Sequence, residues 1–245
     1  MNKVFLCLCL FMLWVVPAVA APTLYLKGNT VVVENDGKTT ALPEDPSYKP
    51  QKVSGSDMFF LGTNPEAQEQ FDLEQGLYLF DKTGKMIAFI PSEPAEFCAD
   101  VSFSPTGNIL AMDSGVTLMR SNYFFSYPSL KPMGEIDFYQ LSEKPSFFWN
   151  NDEGILFSSI QVDNPGRACG YDPCGPVSAE YHSFKDGKTK VIKAGTPECD
   201  YTITGFDAEK GVVSIEKLCL PSADAWKEFP ENVPSQTITV PLSKN

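Results

Sequence analysis

The chain has a single histidine in 245 residues. One imidazole builds a zinc centre only if cysteines or carboxylates supply the other ligands. Basic residues are also scarce: 19 Lys and Arg face 31 Asp and Glu, for a net charge of −12. An acidic surface repels phosphate backbones and anionic headgroups, so nucleic acid and anionic lipid are not expected partners. The sequence has no G-x-S-x-G elbow, no Gly-rich phosphate loop and no D-x-[DN]-x-[DN]-G calcium loop. We therefore expect no metal and no cofactor. No stretch holds a long 3.6-residue period, so little helix is expected. Low-complexity linkers and blocks of like charge are absent.

Long apolar runs are missing too. The run Val4 to Val16 is too short to span a bilayer comfortably, so no stable membrane insertion is expected. Lys3 precedes it and Ala18-Val19-Ala20 follows as an A-x-A cleavage signal. Leucines, not small residues, precede Cys7 and Cys9, which argues against a lipoprotein anchor. Residues 1–20 thus read as a signal peptide, and 21–245 as one periplasmic or secreted domain. Five cysteines then remain, an odd number, in a compartment that permits disulfides.

What the sequence does have is turns at a regular spacing. Asn35-Asp36-Gly37-Lys38, Asp81-Lys82-Thr83-Gly84-Lys85, Tyr127-Pro128-Ser129 and Lys185-Asp186-Gly187-Lys188 each separate two aromatic or β-branched runs. Asp-Gly provides the positive φ of a tight hairpin, and Pro presets a turn's first corner. A second series alternates with the first, at Ser104-Pro105-Thr106-Gly107-Asn108, Asn150-Asn151-Asp152-Glu153 and Asp207-Ala208-Glu209-Lys210-Gly211. A hairpin returning about every 46 residues is the signature of a β-propeller blade. The blades fall near 50–95, 96–140, 141–195 and 196–242. Residues 23–42 would share a further blade with the C-terminal strand around Thr237-Ile238-Thr239-Val240, closing the ring and hiding the sheet edges. The expected fold is all-β, a propeller of about five four-stranded antiparallel blades. Phe103, Trp149 and Ile203 would lie on the innermost strands. An antiparallel β-sandwich is the alternative.

Phe103-Ser104-Pro105-Thr106-Gly107-Asn108 resembles the F-S-P-D-G-x turn of WD-repeat and TolB-like propellers. Phe148-Trp149-Asn150-Asn151-Asp152 resembles its W-S-x-D version, and Gly76-Leu77-Tyr78-Leu79-Phe80-Asp81 the outer strand that often follows. The chain departs from the family in having no Trp-Asp dipeptide closing a blade and no room for a TolB-type N-terminal domain. The resemblance implies a scaffold that presents loops to a partner.

Several residues carry possible chemistry. His182 reads as a solvent-facing side chain beside a hairpin turn. Ser214-Ile215-Glu216-Lys217 matches S-x-x-K, but on a strand those ends point to opposite faces. Glu93, Glu96, Asp100 and Asp200 lie before or on expected inner strands, where paired carboxylates could serve glycoside hydrolysis. Trp149 reads as core, and the aromatics of Asn122–Tyr127 as packing between blades. Cys199 and Cys219 flank one hairpin almost opposite each other, so a bridge is expected there. Cys169 and Cys174 would staple a loop, leaving Cys98 as a thiol. That loop, residues 163–176, is the one clear excess over the repeat. It is rich in Gly and Pro, and it offers Arg167, Tyr171 and Asp172 as contact residues of types suited to recognition.

The expected function is that of an exported, monomeric, non-catalytic scaffold. It would bind a protein or other extracytoplasmic ligand through its loops. A secreted hydrolase or lyase with carboxylates at the propeller axis is the alternative.

Overall fold

The computed structural model describes residues 23–35, 37–92, 95, 98–114, 119–139, 147–162, 166, 175–228 and 233–242. They form five antiparallel meanders in chain order. The first sheet is β1 (Thr23–Lys27), β2 (Thr30–Asn35) and β3 (Lys38–Ala41). The second is β4 (Gln51–Lys52), β5 (Phe59–Thr63), β6 (Gly76–Phe80) and β7 (Met86–Pro91). The third is β8 (Cys98–Phe103), β9 (Ile109–Ser114), β10 (Met119–Ser126) and β11 (Pro132–Tyr139). The fourth is β12 (Phe147–Asn150), β13 (Gly154–Ile160), β14 (Val177–Ser183) and β15 (Lys188–Lys193). The fifth is β16 (Cys199–Asp207), β17 (Val212–Cys219) and β18 (Ser235–Pro241). One short helix, α1 (Pro65–Phe71), joins β5 to β6, and the side chain of Asn64 caps it by accepting from Ala67 N at 3.1 Å.

Both turn series fall where the sequence puts them. Gly84, Gly107, Gly187 and Gly211 hold φ of 85°, 77°, 64° and 63°. That left-handed region penalises any Cβ, which is why glycine recurs at these corners. Asn151 takes the same role between β12 and β13, at φ 50°.

Burial follows a gradient across each sheet. β6 and β9 are buried at every position, whereas the last strands β3, β11, β15 and β18 are mostly exposed. A strand buried on both faces must be sandwiched between neighbouring sheets. On β9, Leu110 and Met112 face the second sheet with Phe60, Leu77 and Leu79. The alternate residues Ile109 and Ala111 face the fourth sheet with Ile155 and Phe157. Each such apolar side chain contributes about 2 kcal/mol by leaving water. The first and second sheets share Leu24, Val31, Val33, Leu61, Tyr78 and Phe80. The fourth and fifth share Leu156, Ala179, Tyr181, Tyr201, Ile203, Val213 and Ile215. Each sheet therefore packs on the next, in a propeller-like succession rather than as the two faces of a sandwich.

Two expectations are corrected. The chain termini do not share a sheet: β18 pairs with β17, and β1 pairs with β2. β17 is the sequence neighbour of β18 and presents a matched register from Val212 to Leu218, so the local pairing prevails over the distant one. Among the described residues the first and fifth sheets therefore have three strands and the middle three have four. Phe103, Trp149 and Ile203 do lie on the first strands of their sheets, β8, β12 and β16. The aromatic strand β10 packs as expected, with Phe124 turned to the fourth sheet and Tyr123 and Phe125 to the second. Trp149 meets Phe147 and Phe124 edge-on, at 5.1 and 6.1 Å between ring centroids.

Candidate functional site

Carboxylates on or just after the first strands serve as ties between sheets. Asp100 on β8 accepts from Ser54 Oγ at 2.9 and 3.0 Å, and Ser54 N donates to Val101 O at 2.8 Å. Ser54 belongs to the β4–β5 turn, so this contact joins the second sheet to the third. Asp200 on β16 accepts from Val177 N of β14 at 2.8 Å, which joins the fourth to the fifth. Asp152, in the β12–β13 turn, accepts from Thr106 Oγ1 at 2.6 Å and Asn108 Nδ2 at 2.9 Å, which joins the third to the fourth. Burial pushes the Asp152 carboxyl up, but hydrogen bonds from Ser104, Thr106 and Asn108 outweigh it and hold the group below its usual value. Asp100 and Asp200 are therefore engaged in holding sheets together. Glu93 and Glu96 lie outside the described residues. Among the described residues, no three His, Cys, Asp or Glu side chains gather in a metal-binding group.

A polar layer runs through the interface between the third and fourth sheets. Arg120 on β10 grips Asp113 on β9 through Nε at 3.0 Å and Nη2 at 2.6 Å, with both side chains 5% exposed. Asn122, opposite Asp113, is fully buried, and its amide meets no partner among the described residues.

At the same interface lies a solvent-open cavity of about 330 Å³. Ile136–Tyr139 of β11 form one wall, and Phe157, Ser159, Gln161, Glu180 and Thr189 of the fourth sheet form the other. Phe138 stacks on Phe157 at 4.5 Å between centroids. Glu180 pairs with Phe157 across β13 and β14, so its side chain shares the face turned to the third sheet. It is only 8% exposed. Ser159 Oγ and Gln161 Nε2 both donate to its Oε1, at 2.7 and 2.6 Å. None of the ion pairs among the described residues involves it.

His182 also lies on β14, two residues beyond Glu180. It is half-buried rather than solvent-facing, because Thr189 and Phe184 cover it: Nδ1 lies 3.0 Å from Thr189 Oγ1, and the ring meets Phe184 edge-on. Burial pushes the imidazole below its usual value, with Asp186 pulling it back up. The Ser159 hydroxyl bonds the carboxylate directly, with no imidazole between them, so this group does not form a hydrolase triad. Ser214 and Lys217 lie on strand β17, as expected.

Sequence reasoning did not single out Glu180. In Val177-Ser178-Ala179-Glu180-Tyr181 the alternation sets Glu180 with Ser178 on the polar face, which reads as solvent-facing, yet all five residues are buried.

Cys199 and Cys219 face each other across β16 and β17, with Cα atoms 4.1 Å apart, and form a disulfide. Cys98 is a thiol whose Sγ lies 3.5 Å from Asp100 O. Cys169, Cys174, Arg167, Tyr171 and Asp172 lie outside the described residues. The base of their loop is within them: Gln161 N donates to Pro176 O at 2.9 Å. At Gly175 a Cβ would stand 2.3 Å from Gln161 O, so this close approach requires glycine. The described residues that flank the 163–176 insertion are thus pinned together beside the Glu180 cavity, whose lining includes Gln161 and Val162.

No family model matches the chain, and no curated protein matches it. Among solved structures, a tricorn protease aligns over 91% of this chain and 21% of its own, with 13% identity and a TM-score of 0.48. A putative dipeptidyl aminopeptidase IV from Bacteroides ovatus aligns over 91% of this chain and 37% of its own, with 12% identity and a TM-score of 0.48. TolB from Acinetobacter baumannii aligns over 90% of this chain and 50% of its own, with 12% identity and a TM-score of 0.38. The chain thus spans half or less of each of these proteins. Likeness at this level assigns no activity.

Proposed function

We propose that the protein is an exported, non-catalytic scaffold that recognises an extracytoplasmic protein or other ligand through its loops. Its five meanders act as the blades of a divergent propeller, and the monomer is the working unit. The 163–176 insertion is the recognition element, with Arg167, Tyr171 and Asp172 as contact residues. The observation that carries this reading is the use of carboxylates as ties between sheets. Asp100, Asp152 and Asp200 each tie one sheet to the next, whereas a hydrolase or lyase at the axis needs carboxylates converging on a substrate.

Two further features support it. A loop leaving from a pinned base loses less entropy when a partner holds it. The Cys199–Cys219 disulfide suits an oxidising, extracytoplasmic compartment. No described helix is long and apolar enough to cross a membrane.

The test replaces residues 165–175 with a short Gly-Ser turn. The expected variant folds with an unchanged circular dichroism spectrum and loses the exported partners that the parent chain retains on a column. A folded variant that keeps every partner contradicts the proposal.

A further inference from the structure

We infer that the cavity between the third and fourth sheets is a receptor for one arginine side chain, delivered by an extended partner segment lying along β11. Buried charges in proteins are paired, because leaving water unpaired is costly. Glu180 is more than nine-tenths buried, lines a cavity of about 330 Å³ and has no cation among the described residues. Its neighbours Ser159 and Gln161 both bond Oε1, so the fixed donors hold the carboxylate in place from one side. No described donor bonds Oε2, which leaves that atom for a donor entering the cavity. Arg120, a buried cation on the facing third sheet, is committed to Asp113.

The walls select the kind of cation. Phe138 and Phe157 present apolar ring surface beside the acid. A guanidinium is planar and weakly hydrated, so it is buried beside an aromatic ring at less cost than an ammonium. The delivery route is the strand that forms the other wall. β11 is the edge of its sheet, and its first four residues are exposed. An extended segment pairing with such an edge presents alternate side chains to the same side, where the cavity opens among Ile136–Tyr139. This inference rests on the cavity and holds whether or not the insertion is the recognition element.

The experiment uses the full mature chain and a capped pentapeptide, acetyl-Thr-Val-Arg-Val-Thr-amide. The control peptide carries citrulline, which is nearly isosteric but uncharged, in place of arginine. Calorimetry should show one-to-one binding of the arginine peptide, weakened about tenfold or more by citrulline and by Glu180→Gln, as expected for loss of a charge-assisted pair. Amide shifts in the parent chain should cluster at 136–139, 157–161, 180 and 189, a readout that does not depend on the variant folding. Equal binding of the citrulline peptide, or shifts elsewhere, overturns the inference. Binding of free arginine amide as tightly as the peptide assigns the cavity to a small guanidinium compound and overturns the partner segment. Binding by Arg167→Ala but not by the parent chain shows the chain's own arginine in the cavity and overturns an external ligand.

Discussion

Thr106 and Asp152, 46 residues apart at corresponding turns of consecutive sheets, are hydrogen-bonded across the gap between those sheets. Ser54 and Asp100 join the second sheet to the third at the same separation of 46, there from a turn to a strand. The spacing that marks the repeat in the sequence is thus also the spacing of two of the three contacts that tie sheet to sheet, whereas Val177 and Asp200 lie 23 apart.

The Asp152 tie should be sensitive to pH. The folded group sits below its usual value of 3.8, held there mainly against burial by three side-chain donors. A depressed folded value means that the contribution is complete above the unfolded value and is lost as pH falls below it. Thermal melts from pH 2 to 6 should place Asp152→Asn below the parent at pH 6. The gap should close at the acid end. A gap that persists at pH 2 would mean the ionised carboxylate is not what the tie depends on.

Breaking the Asp113–Arg120 pair from one side should be severe. Both groups are buried, so Arg120→Met leaves an uncompensated charge and should cost about 3–5 kcal/mol in urea denaturation. The double variant Asp113→Leu with Arg120→Met should recover a large part of that loss. Additive losses would contradict the burial of the pair.

The disulfide should join Cys199 to Cys219 in peptide maps of the unreduced protein. Removing it as a double alanine variant should cost roughly 3 kcal/mol by the chain-entropy account. Recovery of Cys98 in a bridge would overturn the assignment.

Gly154 should not accept a side chain. Its Cβ would stand 2.1 Å from the His182 carbonyl oxygen, a backbone atom that cannot swing away. Gly154→Ala should therefore cost about 1–3 kcal/mol, read from the denaturation midpoint.

Turns were the most legible part of this chain, because positive φ restricts the residue choice at each corner. Gly84, Gly107, Gly187 and Gly211 marked theirs directly, and the blade boundaries followed. Strand pairing at the ends was less legible. Thr237–Val240 has the composition of a strand for any sheet edge, and only the offered register made β17 its partner. The disulfide was legible because the hairpin register set Cys199 opposite Cys219. Glu180 was not, because a carboxylate in a strand gives no sign of whether it faces water or a neighbouring sheet. That depends on how two sheets meet, a relation between Phe138 and Phe157 that no local pattern encodes.

The central claim, recognition through the insertion, is tested most directly by site-specific photocrosslinking. A benzoylphenylalanine placed at Tyr171 should capture an exported partner, and the same probe at Ile87, an exposed position on β7, should not. Capture of the same partner from Ile87 with none from Tyr171 would contradict the account.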